Sequence, residues 1–311
     1  MHNLTLIILR ELTCMILCER AELRTILLLI ICYSLIGLIV INPLELHLIL
    51  QMTFLIPLIT LHSSLQHEFL HGHPFKAQWI NDLLVTLPVG LYLSYHRFKE
   101  SHLKHHNNHI LCDPDKDPES WYLNDEDWHE KSKFNQLLLT LNNTLLGRML
   151  LGPTLGGFGF IFSEITNGNN KVRLTWMLHF FMAGIYVWAL YSWGNIPIWA
   201  YIVCSYFGLS LLMVRTFLEH QADTSPLARS VIIEKKGFFS FLFLNNNFHA
   251  IHHAYPKLAW YRIPALFERN RDRFLSKNKG YYYKSYWEIF ARYMFQIKEP
   301  VIYPLQKNAD R

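Results

Sequence analysis

Long apolar stretches with almost no charged residues are the feature of this chain that most constrains its fold. An α-helix needs roughly 20 consecutive apolar residues (range ~17–25) to cross a bilayer, and four runs approach that length. These runs cover residues 25–41, 46–65, 174–193 and 197–218. Short links join the first run to the second and the third to the fourth. We therefore predict an all-α integral membrane protein with four transmembrane helices in two hairpins.

The composition agrees with a membrane protein. The chain is 51% hydrophobic and only 17% charged, whereas a typical soluble domain is about 25% charged. Its net charge of +5 is modest and its basic residues are spread along the chain, so a nucleic-acid role has no support. The five cysteines form no CxxC pair, which favours reduced thiols.

Three other apolar segments do not fit a simple crossing. Residues 80–95 and 137–162 are interrupted by polar residues, prolines and glycines. We predict that both lie in the membrane interface or dip into it. Residues 1–24 alternate apolar stretches with charges, a pattern that favours an amphipathic helix on the membrane surface.

Three short histidine clusters carry the chemical information. Their spacings are HxxxH and, twice, HxxHH, and they contain eight of the 17 histidines. On a helix, residues three and four apart lie on one face, so each cluster aims its imidazoles in one direction. Imidazole suits iron, copper, zinc and nickel. Three clusters supply more ligands than one metal uses, which predicts two metals. The candidate ligands are His67, His71, His102, His105, His106, His249, His252 and His253.

A shared site requires the three clusters to lie on one side of the membrane. Four spans satisfy this condition, whereas a further span at 80–95 would separate the first two clusters. The short links contain no Lys or Arg, while residues 67–173 contain ten and residues 219–311 contain fifteen. The positive-inside rule then places both termini and all clusters in the cytoplasm. We expect one domain over residues 1–311, with 219–311 forming a cytoplasmic helical cap.

Three segments around the clusters resemble a known family. They are Gln66 to Pro74, Asp113 to Ser120, and Asn245 to His249. With the clusters, they resemble the membrane fatty acid desaturase superfamily over about residues 45–270, and bacterial desaturase-like proteins in particular. That superfamily includes desaturases, hydroxylases and carotenoid ketolases, and the resemblance implies an integral protein of a bacterial inner membrane.

The resemblance also implies the chemistry. It implies two iron ions, O2 as co-substrate, and His220 as a ninth ligand. Where some relatives place an Asn, this chain has Thr216. The implied reaction is oxidation of an aliphatic chain, first of all desaturation of a fatty acyl lipid or thioester. The alternative is a hydroxylase or ketolase acting on an acyl, alkane or carotenoid substrate. Electrons would come from an external ferredoxin or cytochrome.

Several polar residues near the clusters are candidates to hold the ligands in place. A metal-bound His usually donates its other N–H to an acceptor that fixes its tautomer. A simple solvated turn at 113–119 explains the acids there equally well. The candidates are Glu68, Asp113, Asp117, Glu219 and Asn247.

Two other protein classes remain as alternatives. His67 to His71 also satisfies HExxH, the motif of zinc proteases in which the Glu acts as general base. That hypothesis leaves the second and third clusters unexplained. A metal transporter would place ligands inside its spans, yet within the predicted spans only His47, His62 and His179 occur.

Overall fold

The computed structural model describes residues 22–107 and 110–305. In this part of the chain the protein is almost entirely helical. The two strands found there pair in parallel, Ile232 with Tyr282 and Ile233 with Tyr283. The predicted all-α integral membrane fold is confirmed. The predicted amphipathic helix at 1–24 lies almost wholly outside the described residues.

The helices follow one another with short connections. They are α1 Leu23–Ile41, α2 Leu48–Leu70, α3 Gln78–Val85, α4 Tyr95–His106, α5 Asp125–Glu130, α6 Lys133–Asn142, α7 Leu145–Gly152, α8 Gly159–Asn167, α9 Asn170–Trp193, α10 Ile198–Thr216, α11 Phe238–Leu242, α12 His249–Ala254, α13 Ile263–Arg269, α14 Arg271–Lys277 and α15 Tyr286–Tyr293. A π-helical turn, Pro153–Phe158, joins α7 to α8, and 3-10 turns occupy Pro226–Ala228 and Trp260–Arg262. The strands are β1 Ile232–Ile233 and β2 Tyr282–Tyr283.

Five helices among the described residues are long and apolar enough to cross a membrane. Four of them, α1, α2, α9 and α10, correspond to the runs predicted from the sequence. The fifth is the continuous helix Leu145–Asn167, formed by α7, the π-helical turn and α8. It falls in the segment for which we predicted an interfacial position, so length and composition alone do not separate a span from an interfacial helix here.

The contacts at the two ends of Leu145–Asn167 bear on its placement. Near its start, the Leu146 N–H donates to the Met294 carbonyl at 3.1 Å, just after α15. Near its end, Glu164 accepts two hydrogen bonds from the Arg97 guanidinium at 2.6 and 2.7 Å. Arg97 belongs to α4, whose last turn carries the second histidine cluster. Both ends therefore contact elements on the histidine side of the bundle.

The membrane bundle is built around α2, which packs against α1 and α10. Thr60 of α2 donates its hydroxyl proton to the Gly208 carbonyl of α10 at 2.8 Å. A Cβ at Gly208 would lie 2.8 Å from the Ile59 side chain, so glycine allows the two backbones to approach. At the other end, the Asn195 N–H donates to the Val40 carbonyl at 2.7 Å, which brings the two hairpin links together.

Exposed apolar side chains cover the outer faces of α1 and α9. Examples are Ile30 and Ile31 on α1, and Phe181 and Trp188 on α9, each more than half exposed. A helix that is apolar on all sides suits lipid rather than water as its surroundings. The outer helices therefore provide a lipid-facing surface.

The segment from α3 to α4 enters the bundle and returns. Its connecting loop reaches the bundle interior, where the Tyr201 hydroxyl donates to the Val89 carbonyl at 3.0 Å and His179 Nε2 lies 2.9 Å from the Leu91 carbonyl. Both ends of the segment lie beside histidine clusters. This geometry agrees with the predicted dip at 80–95.

Candidate metal centre

Four elements bring the histidines to one end of the bundle. The last turn of α2 and its C-terminal cap carry His67 and His71, and the last turns of α4 carry the second cluster. The third cluster forms α12, which is tied down by a hydrogen bond from the Ala250 N–H to the Val231 carbonyl at 3.0 Å. His220 follows α10 and forms a β-bridge with Ser230.

The structure brings all nine candidate histidines into two adjacent groups. Within each group the ligand nitrogens lie within 4.8 Å of one another. The first group is His67, His71, His102, His106 and His252, and the second is His105, His220, His249 and His253. The rings of His106, in the first group, and His253, in the second, stack with centroids 4.1 Å apart, so the two groups are in direct contact. Two neighbouring sites follow from this arrangement.

The spacing of the nitrogens matches that of ligands around a metal ion. In the second group, Nε2 of His220 lies 3.0 Å from Nε2 of His105 and 3.0 Å from Nε2 of His249. In the first, Nε2 of His252 and His106 are 3.2 Å apart. Two nitrogens bound at about 2.1 Å to one metal are separated by about 3.0 Å at a right angle and about 3.4 Å at the tetrahedral angle.

Hydrogen bonding among the imidazoles does not explain these short separations. His105 Nδ1 lies 2.7 Å from the Asp117 carboxylate and His249 Nδ1 lies 3.1 Å from Asn246 Oδ1. Each of these Nδ1 atoms therefore carries a proton, so each imidazole presents a lone pair at Nε2 when it is neutral. Both lone pairs point at the same nitrogen of His220, which can donate to only one of them. A cation that accepts several lone pairs resolves the conflict.

The first group has the same property. Among the described residues, Nε2 of His67, His71 and His102 has no hydrogen-bond partner, and all three atoms are buried. Buried polar atoms without partners are rare, because each costs about 1–3 kcal/mol. These nitrogens have no hydrogen-bond partner and lie close to one another, as the ligands of a metal ion do. Neutral imidazoles are suitable ligands for such an ion.

Burial keeps the imidazoles of α12 in the neutral form that a metal requires. Burial, together with the neighbouring imidazoles, holds the pKa of His249, His252 and His253 well below the usual range. The same causes lower the pKa of His220. Their lone pairs are therefore available at neutral pH without loss of a proton.

Two carboxylates from the loop after α4 hold the second cluster. The Asp117 carboxylate is buried against His105, and Glu119 accepts from His102 Nδ1 at 2.9 Å. Although burial lowers it, the two carboxylates raise the pKa of His105 to about 9. His102 and His105 hold the pKa of Glu119 well below its usual range despite burial. These anions favour positive charge at the centre: without a metal His105 keeps a second proton at Nε2, and a bound metal ion would take the place of that proton.

A second set of groups surrounds His249 in the cap. Its Nδ1 lies 3.6 Å from a Glu219 oxygen, which also lies 2.8 Å from Arg215 Nε. Asn246 donates its amide N–H to the same oxygen at 3.0 Å. Asn247 donates to the Ile233 carbonyl and so fixes the start of α12 against β1. Of the two residues predicted to support the third cluster, Glu219 lies beside His249, whereas Asn247 contacts the β1 backbone and no imidazole in the contacts described.

Two of the predicted supporting acids do not contact candidate ligands in this way. Asp113 accepts hydrogen bonds from the backbone N–H groups of Asp115 and Lys116, so it closes its own loop. Glu68 accepts from the Trp260 N–H at 2.8 Å and lies beside His73. Helical spacing explains this, because Glu68 follows His67 by one residue and leaves the helix in a different direction.

Sequence reasoning missed Glu119 and did not single out Asn246. Both flank predicted positions, Glu119 two residues after Asp117 and Asn246 just before Asn247. Neighbouring acids and asparagines in a loop cannot be ranked from sequence, because the loop conformation decides which side chain faces the site. Two histidines beside the clusters stay outside both groups: His73 contacts Glu22 and His96 contacts Thr86. His109 lies outside the described residues.

Comparison with known proteins identifies the family of the chain. The chain matches the family model described as Fatty acid desaturase over residues 44–287. The match includes all three clusters and His220, and it covers most of the chain, so the protein belongs to the fatty acid desaturase family. No curated protein and no solved structure gave a significant match.

Proposed function

We propose that this protein is an O2-dependent diiron oxidase that acts on aliphatic chains, with desaturation of a fatty acyl lipid or thioester as its reaction. The observation that carries this proposal is the convergence of nine imidazoles into two adjacent groups at the end of a membrane bundle. Family membership supports the acyl substrate. Two bound irons would supply the oxidising chemistry that removes hydrogen from an unactivated C–H bond.

The surrounding residues have defined tasks in this proposal. The nine histidines would hold the metals through Nε2, as the orientation of the rings favours. Asp117 and Glu119 fix the tautomers of His105 and His102 by accepting their Nδ1 protons. Asn246 Oδ1 does the same for His249, and Glu219 in turn accepts the amide N–H of Asn246. Ligands held this rigidly would fix the distance between the metals and the substrate carbon. That distance would determine whether a second hydrogen is removed or oxygen is transferred to the carbon.

Hydroxylation or ketolation of an acyl, alkane or carotenoid substrate is the alternative within the same chemistry. It uses the same metals and the same ligands, and only the outcome at the oxidised carbon differs. Mass spectrometry of lipids from cells with and without the gene separates the two. A loss of 2 Da (about two hydrogens) indicates desaturation and a gain of about 16 Da indicates hydroxylation, since the first removes two hydrogens and the second adds one oxygen.

The side of the membrane on which the site lies determines which electron donor can reach it. The positive-inside rule favours a cytoplasmic site in a bacterial inner membrane. The electrons would come from a separate ferredoxin or cytochrome, and the basic residues of 219–311 would attract an acidic donor.

The zinc-protease alternative is less well supported by the geometry. A general base must face the metal-bound water, whereas Glu68 accepts from the Trp260 backbone and turns toward His73. The HExxH spacing in this chain therefore places its Glu away from the grouped imidazoles.

Metal content and activity of a ligand variant test the proposal directly. His252 is buried in the first group and its Nε2 lies 3.2 Å from His106. His252→Ala is expected to abolish substrate oxidation and to lower the iron bound per chain, measured by elemental analysis of protein purified from membranes.

The matched control is His129→Ala, because this histidine is exposed on α5 and lies outside both groups. It should retain wild-type iron content and activity. Full oxidation by the His252 variant, or one zinc per chain in place of iron, would contradict the diiron assignment.

A further inference from the structure

The C-terminal segment, residues 298–303, follows the last helix and lies against the loops around the second histidine group. The Leu123 N–H donates to the Val301 carbonyl at 2.9 Å, and the Tyr303 N–H donates to the Leu123 carbonyl at 2.9 Å. Leu123 ends the loop after α4, which supplies two of the carboxylates that contact the imidazoles. The C-terminal segment therefore fixes one side of that loop.

His220 is the candidate ligand that the C-terminal segment contacts directly. It lies outside the helices and pairs with Ser230 in a β-bridge. The hydrogen bonds of that bridge are made by the residues on either side of the pair, for example from the Gln221 N–H to the Arg229 carbonyl at 3.0 Å. In such a pair the carbonyl of His220 itself points away from its bridge partner, so it needs a donor from elsewhere.

Lys298 supplies that donor. Its ammonium lies 2.6 Å from the His220 carbonyl oxygen and 2.8 Å from Glu299 Oε1. The Lys298 side chain is only 6% exposed, so both contacts are shielded from water. A hydrogen bond from a charged donor is roughly twice as strong as one between neutral groups, and this one therefore restrains the His220 backbone firmly.

Glu299 extends this restraint to the other side of His220. The Tyr122 hydroxyl donates to Glu299 and accepts from the Ala222 N–H at 2.9 Å. Ala222 follows His220 by two residues. The path from Lys298 through Glu299 and Tyr122 therefore returns to the same short stretch of backbone, and the hydrogen bonds form a closed ring around it.

We propose that Lys298 is a positioning residue for the metal of the second histidine group, on which it acts through the backbone of His220. The inference rests on the diiron proposal above, and it gives a role to a residue beyond 44–287, the range of the family match. Functional side chains must be held within about 0.5 Å of their productive geometry. The first group lies at the end of α2, on α4 and on α12, so loss of the Lys298 contact should weaken the second metal selectively.

Lys298→Met tests the proposal, because it keeps an unbranched side chain and removes the charged donor. The purified full-length protein is loaded with iron, dialysed against a chelator and analysed for iron. The wild type should retain two irons per chain. The variant should retain one, with the second bound about 10–100-fold more weakly. Lys298→Arg keeps a charged donor and should restore the second iron.

Lys236→Met is the matched control, because Lys236 is exposed and pairs with the exposed Glu268 at 2.8 Å. It should keep both irons. Wild-type affinity for both irons in Lys298→Met would overturn the proposal. Loss of both irons together would also overturn it, since it would indicate a general loss of structure. A wild type that binds no metal would instead refute the diiron proposal, and this inference with it.

Discussion

The residues that surround the imidazoles determine which lone pair each imidazole presents. His102, His105 and His249 each have an acceptor at Nδ1, and each acceptor leaves Nε2 turned to the centre. The supporting acceptors come from two places, the loop after α4 and the turn before α12. A neutral imidazole has one N–H proton. An acceptor at Nδ1 therefore holds the proton there and leaves the lone pair of Nε2 free to bind a metal.

Substitution in the loop after α4 tests this role. Glu119→Gln and Asp117→Asn keep the shape of each side chain but replace a charged acceptor of an imidazole N–H. We expect about a 10–100-fold loss of metal affinity or activity from each. Metal retention during dialysis against a chelator, and turnover of an acyl substrate, measure these effects.

Asp113→Asn is the matched control in the same loop, because Asp113 accepts only backbone N–H groups in the contacts described above. It should retain metal as the wild type does. An equal loss in all three variants would mean that the loop conformation matters and that the individual acceptors do not.

At the level of elements, α2 is the central part of the site's framework. It continues to Leu70, five residues beyond the predicted end of its apolar run at 65, and so delivers His67 on a helix rather than on a loop. Its close packing on α10 at Gly208 sets the position of His220, which follows α10. Ligands on rigid packed elements are held more accurately than ligands on loops.

Gly208→Ala tests the contact between α2 and α10. The added Cβ would lie 2.8 Å from Ile59 Cγ2 and 3.1 Å from Ile59 Cβ, so the helices must separate. Overpacking of this kind costs about 1–3 kcal/mol. Thermal unfolding in detergent should show a lower midpoint.

Gly184→Ala is the corresponding control on α9, since nothing lies within 4 Å of a Cβ there. Its unfolding midpoint should not fall. A Gly208 variant as stable as the Gly184 variant would show that the helix contact adapts without strain.

For the whole molecule, the shared site restricts the membrane topology. His106 and His249 lie at one centre, so the chain between them must cross the membrane an even number of times. Three helices in that interval are long enough to cross. The α9–α10 hairpin supplies two crossings, and Leu145–Asn167 contacts the histidine side at both ends. We therefore expect that this helix, about 34 Å long, does not cross.

Accessibility of single cysteines tests this topology. Cysteines at Asn135 and Asn167, introduced into a chain whose native cysteines are replaced, should react with an impermeant maleimide from the same side of sealed vesicles. Both positions are exposed in the structure. Glu45, in the link between α1 and α2, should react from the opposite side. Labelling of Asn135 and Asn167 from opposite sides would make Leu145–Asn167 a true span.

The sequence by itself determined the membrane class, the four strongest helices and eight histidines arranged for metal binding. Those features depend on local periodicity and on composition, which each short segment carries independently. His220 has no such local signal, and only resemblance to a family pointed to it.

Tertiary structure decided how the nine imidazoles divide into two groups and which acceptors hold them. It separated Glu119 and Asp117 from Asp113, although all three share one loop. It also turned Glu68 away from the imidazoles and toward Glu22 and His73. These outcomes depend on contacts between residues distant in sequence and on loop conformation, and neither leaves a periodic pattern in the chain.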